Sequence, residues 1–321
     1  MRVAFVGKGG SGKTTLSALF ARYTARRGGP VVAIDADINQ HLGMALGLAP
    51  EALPRPMGAH LSEIKEWLRG GNPRISSAAA MVKTTPPGRG SRLPRPADPA
   101  DAIHAGFAVA VPDGPHLMVT GPFAESDLGV ACYHSKIGAV ELYLNHLLDG
   151  PGEYVVVDMT AGADSFASGL FTRFDMTFLV AEPTRQGVGV YRQYRDYAAA
   201  YEVPVAVVGN KVHSPADVEF LRGHVGEDLL VCLRHSPAIR AMEQGRDFAL
   251  ADLEPANLEA LSRLLEVVDG REKDWERFGR QMVHFHLRNA QAWANKAVGE
   301  DLADQIDPDF VYGPTRVSLS R

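Results

Sequence analysis

Nine residues near the start of the chain constrain its fold and its chemistry more than any other segment. They read Gly7-Lys8-Gly9-Gly10-Ser11-Gly12-Lys13-Thr14-Thr15. An apolar, strand-like run precedes them and a helical pattern follows, and the spacing G-x-x-x-x-G-K-[ST] in that context is typical of a loop that wraps phosphate groups. The glycines permit close backbone approaches, so successive N–H groups can converge on phosphate oxygens. The sequence therefore predicts a triphosphate-binding loop at the N-terminal end of a helix.

The side chains of this loop suggest separate roles. The backbone of residues 9–12 is expected to surround the phosphates, and the helix dipole adds to the attraction. Lys13 is predicted to reach the β- and γ-phosphates, Thr14 to ligate Mg²⁺ through its hydroxyl, and Thr15 to contact the α-phosphate. A purely structural glycine turn would not need a lysine and a threonine together at the helix start.

Short apolar runs alternate with longer helical patterns as far as residue 268, which favours an α/β fold of three layers, α/β/α, around a mainly parallel sheet. The predicted strands are residues 2–6, 31–34, 116–120, 154–158, 176–181, 205–209 and 229–233. The predicted helices are residues 13–27, 136–148, 187–201, 216–224 and 257–268. Tyr154-Val155-Val156-Val157-Asp158 is an apolar strand that ends in a carboxylate, and Asp158 is expected to bind Mg²⁺ through water. An ordinary turn residue is the alternative for Asp158.

Two segments depart from this alternation. Residues 84–101 carry five prolines and two glycines, so no regular element is expected there, and we predict a mobile surface insertion that is either a plain linker or a lid. Residues 269–321 follow the predicted ATPase domain, 1–268, and residues 274–298 form an amphipathic pattern. The sequence thus predicts a C-terminal helical extension and tail.

Composition narrows the function classes. The 321 residues are 45% hydrophobic and 22% charged, as in globular proteins. A net charge of −5 makes no strong case for nucleic acid or an anionic membrane as a partner. The chain lacks an apolar run long enough for a membrane helix, and two cysteines are too few for a disulfide framework, so we expect a cytoplasmic protein.

Lys8 extends the glycine-rich loop to the pattern K-G-G-x-G-K-[ST], and with it the chain resembles a known family. This is the deviant Walker A branch of P-loop ATPases, which includes MinD, ParA, the nitrogenase iron protein, the arsenite and tail-anchor ATPases and CooC, and the likeness runs from residue 1 to about residue 268. It implies a homodimer with ATP sandwiched between the subunits, in which Lys8 acts as a catalytic cation on the partner's phosphates. A plain surface lysine is the alternative.

The resemblance also implies roles for two loops. Ile34-Asp35-Ala36-Asp37-Ile38-Asn39 resembles switch I, in which Asp37 would position the attacking water and Asp35 would help to hold the Mg²⁺ shell. Many family members have proline where this chain has Ile38. A helix cap is the alternative for either aspartate. The run Asp158-Met159-Thr160-Ala161-Gly162 resembles switch II, in which the N–H of Gly162 would bind the γ-phosphate.

The base pocket is implied in the same way. Asn210 occupies the asparagine turn that bonds adenine in this family, and Pro237 and Ala238 fall where the pocket closes. The chain lacks the N-K-x-D form that reads guanine, which favours ATP, with ADP as its product, over GTP.

Cys132 and His134 suggest a possible cargo. The segment from Gly129 to His134 resembles the CooC region in which a C-x-C pair from each subunit binds nickel, but here the second cysteine is replaced by histidine. Two subunits could together supply a Cys₂His₂ set for Ni²⁺ or Zn²⁺. A small core cysteine and a surface histidine are the alternatives.

Three functions compete on this evidence. The favoured one is a CooC-like ATPase that couples hydrolysis to the maturation or metal-centre assembly of an unknown client protein. The alternative is a positioning or partitioning ATPase of the MinD/ParA type. An iron–sulfur reductase like the nitrogenase iron protein fits poorly, because Cys232 lies on the predicted strand after the base-binding turn rather than at the second ligand position.

Overall fold

The computed structural model describes residues 1–122, 133–159, 166, 169–246 and 248–314, with the backbone alone for 133–135. All seven predicted strands are present, and one short strand was not predicted. The strands are β1 (Arg2–Val6), β2 (Val31–Ala36), β3 (Val109–Ala110), β4 (His116–Val119), β5 (Tyr154–Met159), β6 (Met176–Ala181), β7 (Val205–Val212) and β8 (Leu229–Arg234).

Helices follow most of the strands, and the five predicted in the α/β core are all confirmed within a few residues. The helices of the described part are α1 (Lys13–Ala25), α2 (Leu42–Ala45), α3 (Leu61–Arg69), α4 (Ala102–Phe107), α5 (Tyr133–His146), α6 (Arg185–Ala200), α7 (Pro215–Val225), α8 (Pro237–Glu243), α9 (Pro255–Asp269), α10 (Trp275–Asn289) and α11 (Asn295–Val298). Helices α2, α3, α4 and α8 were not predicted.

The strands form one sheet in the order β3-β4-β2-β5-β1-β6-β7-β8. Neighbouring strands are parallel except for β3, which pairs antiparallel with β4. Because β2, β5 and β1 are adjacent, the loops at their carboxyl ends meet at one edge of the sheet. The order of the strands thus brings the glycine-rich loop and the predicted carboxylates together.

The two faces of the sheet bury separate cores. Val3 and Phe5 of β1 pack in a cluster with residues of α1 and α9. Ala4 and Val6, which point the other way, pack in a second cluster with residues of α3, α5 and α6. This arrangement confirms the predicted three-layer α/β/α fold with its mainly parallel sheet.

The predicted C-terminal helical pattern is also present. Helix α10 continues through a π-helical turn, Ala290–Ala294, into α11. Phe285 of α10 belongs to one of the two main cores and is only 7% exposed, so the helix packs on the α/β body. The domain boundary at residue 268 stays a prediction.

The prediction of an exposed surface insertion at residues 84–101 is wrong for its first part. The segment has no helix or strand, as its prolines require. However, Thr84 and Thr85 are fully buried, and the Thr85 hydroxyl donates to Gln305 over 3.0 Å. Arg89 pairs with Asp307 at 2.8 Å. The C-terminal extension therefore covers this segment and satisfies its polar groups, which the sequence alone could not reveal.

A buried ionic network ties the extension to the first strand. Asp149 is fully buried, 2.8 Å from the Arg2 Nε atom and 2.6 Å from the Lys273 Nζ atom, and Lys273 also lies 2.6 Å from Asp175. Burial alone would raise the pKa of Asp149, but Lys273 and Arg2 together hold it well below its ordinary value. The network therefore depends on an ionised Asp149 and on the cations that surround it.

Among the described residues, the structure contains no helix with the length and apolar character needed to cross a bilayer.

Asp149→Asn is expected to lower the free energy of unfolding by about 3 to 5 kcal/mol, because it removes the buried carboxylate paired with Arg2 and leaves Lys273 with Asp175 alone. Denaturant unfolding followed by circular dichroism measures this. Asp196→Asn is the matched control, since Asp196 and Arg195 form an exposed pair at 3.7 Å. The control should change stability by less than about 1 kcal/mol. Equal effects of the two substitutions would contradict this account.

The effect of Asp149→Asn should also depend on pH. Because the folded-state pKa lies below the ordinary value of 3.8, the ionised Asp149 stabilises the fold above about pH 4 and this contribution is lost as the pH falls further. The stability difference between wild type and variant should therefore shrink below about pH 4.

Candidate functional site

The glycine-rich loop connects β1 to α1 and leaves the start of that helix open. Gly10 and Gly12 have φ angles of 85° and 89°, which favour glycine. Gly12 is also the residue before α1, where no side chain caps the helix, and the first turn contains no acidic residue. The first N–H groups of α1 therefore lack side-chain acceptors and can receive an anion.

Two glycines of the loop are required by close packing. A Cβ atom on Gly7 would lie 2.7 Å from the Val180 carbonyl oxygen, and one on Gly12 would lie 2.2 Å from the Asn210 amide nitrogen. In contrast, Gly9 and Gly10 face open space. The loop is thus packed tightly at both ends and open in the middle, as a phosphate-binding loop must be.

Lys13 lies among buried carboxylates at the foot of this loop. Its Nζ atom forms an ion pair with Asp37 and lies 3.7 Å from the Asp158 Oδ1 atom. Burial opposes the charge of Lys13, but Asp158 and Asp37 outweigh it and raise the pKa of the ammonium. Burial likewise opposes the charge of Asp37, yet Lys13 lowers its pKa. The site therefore keeps a lysine and an aspartate ionised in a nearly buried space.

Asp35 is more deeply enclosed than Asp37 and organises the loop after β2. It is fully buried, and its carboxylate accepts the Leu42 N–H at 2.8 Å and the Asp37 N–H at 3.2 Å. Burial, with a further contribution from Asp158, raises the pKa of Asp35 to about 8. Gln40, which was not predicted, accepts the Gly121 N–H at 3.0 Å and has a φ angle of 52°. Asp35 and Gln40 therefore fix the loop that carries Asp37.

The donor set fits Mg²⁺. The Thr14 hydroxyl donates to Asp158 over 2.6 Å, and the buried Asp158 Oδ1 atom has no hydrogen-bond partner among the described residues. Burial raises the pKa of Asp158. Asp37 and Asp158 therefore share the ammonium of Lys13, with the carboxyl group of Asp35 beside Asp158, and a divalent cation would add positive charge to this acidic site.

The described residues contain no group of three His, Cys, Asp or Glu side chains placed to hold a metal ion alone.

Lys8 lies on the rim of the loop rather than inside it. Its exposed Nζ atom donates to the Gln186 side chain at the start of α6. Gln186 was not predicted, because only the fold brings it beside the loop. An exposed lysine here can reach another molecule, as the prediction for Lys8 requires.

Side chains at the carboxyl end of β7 donate hydrogen bonds to carbonyl groups of the glycine-rich loop. The Asn210 Nδ2 atom donates to the Ser11 carbonyl over 2.8 Å, and the Lys211 Nζ atom donates to the Gly10 carbonyl over 2.6 Å. Lys211 also pairs with Glu182 at 2.6 Å. The adenine contact assigned to Asn210 stays a prediction, and the roles of Lys211 and Glu182 were missed.

The remaining predicted residues lie at the other side of the loop. Thr15 donates to Glu243 over 3.2 Å, at the end of α8. Pro237 and Ala238 begin that helix, whose N-terminus is capped by the Ser236 side chain. The structure therefore places both base-pocket candidates on the helix that contacts Thr15.

Three predicted residues cannot be placed in this geometry. Gly162 and Cys132 lie outside the described residues, and so does the side chain of His134.

Comparison with known proteins agrees with this geometry. A family model described as the CobQ/CobB/MinD/ParA nucleotide binding domain matches residues 3–309. The carbon monoxide dehydrogenase accessory protein CooC of Rhodospirillum rubrum is 28% identical over 258 residues, covering 80% of this chain and 91% of that protein. An uncharacterized ATP-binding protein of Methanocaldococcus jannaschii is 26% identical over 230 residues, covering 71% of this chain and 81% of that protein.

Solved structures show the same fold at lower identity. The septum site-determining protein MinD of Pyrococcus horikoshii, complexed with Mg-ADP, has a TM-score of 0.56 at 16% identity, covering 84% of this chain and 96% of that one. A MinC:MinD complex from Aquifex aeolicus has a TM-score of 0.52 at 17% identity, covering 85% and 97%. The family model covers nearly the whole chain, so the protein belongs to the family of CobQ/CobB/MinD/ParA nucleotide-binding domains, which are P-loop ATPases.

Proposed function

We propose that the protein is a dimeric ATP-hydrolysing switch that assists the maturation or metal-centre assembly of a partner protein. One observation carries the ATPase part: Lys13 lies between Asp37 and Asp158 at the foot of a loop whose helix N-terminus is open to an anion. A preorganised cation beside buried carboxylates suits phosphoryl transfer, which depends on positioning and charge stabilisation.

Each residue then has a distinct task. Lys13 exchanges its carboxylate partners for phosphate oxygens when ATP enters, which frees Asp37 to accept a hydrogen bond from the attacking water. The N–H groups of residues 9–12 surround the phosphates. Thr14 and Asp158, with Asp35 behind them, would hold Mg²⁺, which when bound draws charge from the phosphate oxygens. Gly162 and Asn210 are assigned to the γ-phosphate and the base.

The dimer completes the site. Lys8 is exposed, and within the described part of the chain its ammonium donates to Gln186, so it can leave that partner and reach the phosphates of a second subunit. Charge that builds on the transferred phosphoryl group then meets a second fixed cation. This supports a sandwich of two chains around two nucleotides.

The similarity to the carbon monoxide dehydrogenase accessory protein CooC supports a metalloenzyme as the partner. The matched region covers 91% of that protein. The MinD structures share the fold at 16 and 17% identity, which says nothing about role. We therefore favour maturation of a metalloenzyme over positioning. Nucleotide-dependent co-sedimentation with liposomes or DNA would reverse that preference.

Asp37→Ala is expected to lower kcat for ATP hydrolysis by about 10²- to 10⁴-fold, because the attacking water loses its acceptor. ATP should still bind, since Lys13 is released from its ion pair, and the dimer should persist. Phosphate release, equilibrium dialysis and sedimentation measure the three properties. Lys13→Ala is the control that should lose ATP binding itself. Normal turnover by Asp37→Ala would show that another group orients the water.

Lys8→Ala is expected to lower kcat by about 10³-fold and to weaken the nucleotide-dependent dimer, because the trans cation is lost. Single-site ATP binding at low protein concentration should change little. Lys296→Ala, at an exposed lysine of α11, is the matched control. A mixture of Lys8→Ala and Asp37→Ala subunits tests the trans action directly: hydrolysis that recovers in the mixture supports it, and its absence at full heterodimer formation contradicts it.

Cys132→Ser is expected to abolish the binding of one Ni²⁺ or Zn²⁺ per dimer, because the proposed set takes one thiolate and the His134 imidazole from each chain. Equilibrium dialysis with each metal measures the stoichiometry. Cys232→Ser is the matched control, since Cys232 lies on the edge strand β8 and is not part of the proposed set. Equal stoichiometry in Cys132→Ser and wild type would eliminate the site.

A further inference from the structure

Two neighbouring residues of β7 hold two neighbouring carbonyl groups of the phosphate loop. Asn210 donates to the Ser11 oxygen at 2.8 Å and Lys211 donates to the Gly10 oxygen at 2.6 Å. The Ser11 N–H donates in turn to the Lys8 oxygen at 3.0 Å. The Gly10–Ser11 peptide is therefore fixed at both its oxygen and its nitrogen.

An irregular strand end places Lys211 at this point. The pairing of β7 with β8 shifts register between Gly209 and Val212, and Lys211 has a φ angle of 56°. This backbone conformation is unfavourable for residues other than glycine, and where it is found it is often at a functional site. A bulge that redirects a side chain is a common device beside active sites. The strand end thus turns Lys211 toward the loop.

A second contact keeps the ammonium there. Glu182, which follows β6, lies 2.6 Å from the Lys211 Nζ atom. The turn that carries Glu182 is compact: a Cβ atom on Gly187 would lie only 2.4 Å from the backbone carbonyl oxygen of Glu182. Two strand ends therefore converge on the loop through one lysine.

Fixing the carbonyl groups fixes the N–H groups as well. A trans peptide is planar, so a carbonyl held on one side directs the following N–H to the opposite side. The Ser11 carbonyl is held by Asn210, and the Gly12 N–H that shares its peptide consequently points away from β7. The Gly12 N–H is thus oriented before a ligand arrives, and preorganised donors favour strong anion binding.

We infer that Lys211 is a positioning residue that holds the phosphate loop in its binding conformation and acts on the triphosphate, not on the base. This inference rests on the proposed function, because it concerns the same nucleotide site. Lys211, held by Glu182, would then contribute to the binding of the triphosphate by the loop. An ordinary exposed ion pair would contribute little and would leave nucleotide affinity unchanged.

The test compares ATP with inorganic tripolyphosphate, which has the phosphates and no base. Lys211→Met keeps the aliphatic stem and removes the ammonium, and it should weaken both ligands by the same factor, about tenfold. Binding is measured with Mg²⁺ by competition against a fluorescent ATP analogue. Lys211→Arg should keep affinity within about threefold, and Lys296→Met should match wild type.

Each contrary outcome has a definite meaning. Unchanged affinity of Lys211→Met for both ligands overturns the inference, and so does a loss confined to ATP, which would place Lys211 at the base. If Lys211→Met does not fold, Glu182→Gln replaces it and should weaken both ligands equally, about threefold. Lys13→Ala is measured in parallel: if it binds ATP normally, the proposed function is wrong, whatever Lys211→Met does.

Discussion

Two buried carboxylates that lie side by side in the sheet set the conditions for the rest of the site. Asp35 of β2 and Asp158 of β5 are register partners, and both are fully buried. Two carboxylates that close can ionise together only if cations compensate for them. Lys13 supplies one positive charge from the start of α1, while burial, with a further contribution from Asp158, raises the pKa of Asp35. The sheet therefore concentrates carboxyl groups at the place where a further cation would bind.

Most of the fold could be predicted because buried parallel strands are apolar throughout and the alternation with helices is regular. Each prediction that failed has an identifiable physical cause. β3 has two residues and no periodic pattern, and β7 continues past its apolar run through the bulge that ends at Val212. The proline-rich start of residues 84–101 looks exposed in sequence but is covered by a segment more than 200 residues later. Such long-range packing leaves no local pattern.

The residues of the site also fall into those that the sequence predicted and those that only the structure revealed. Gly12, Lys13 and Asp158 follow from motif spacing, because their geometry is set within one strand–loop–helix unit. Motif spacing could not identify Gln40 and Lys211. The role of each depends on a backbone conformation with positive φ and on a partner that is distant in sequence. Motifs therefore give the groups that meet the ligand, and the fold alone gives the groups that hold them in place.

The C-terminal extension is part of this arrangement and not an independent addition. The chain that leaves Asp158 returns to a described helical turn at Gly169–Thr172, where Phe171 packs against Phe285 of α10 with ring centroids 6.0 Å apart. A Cβ atom on Gly169 would lie 2.9 Å from the Phe285 ring, so the contact leaves no room for a larger residue. The extension also supplies Lys273 to the ionic network at the start of β1. It therefore packs against the helical turn at Gly169–Thr172 and pairs with charged groups beside β1, the strand that leads into the phosphate loop.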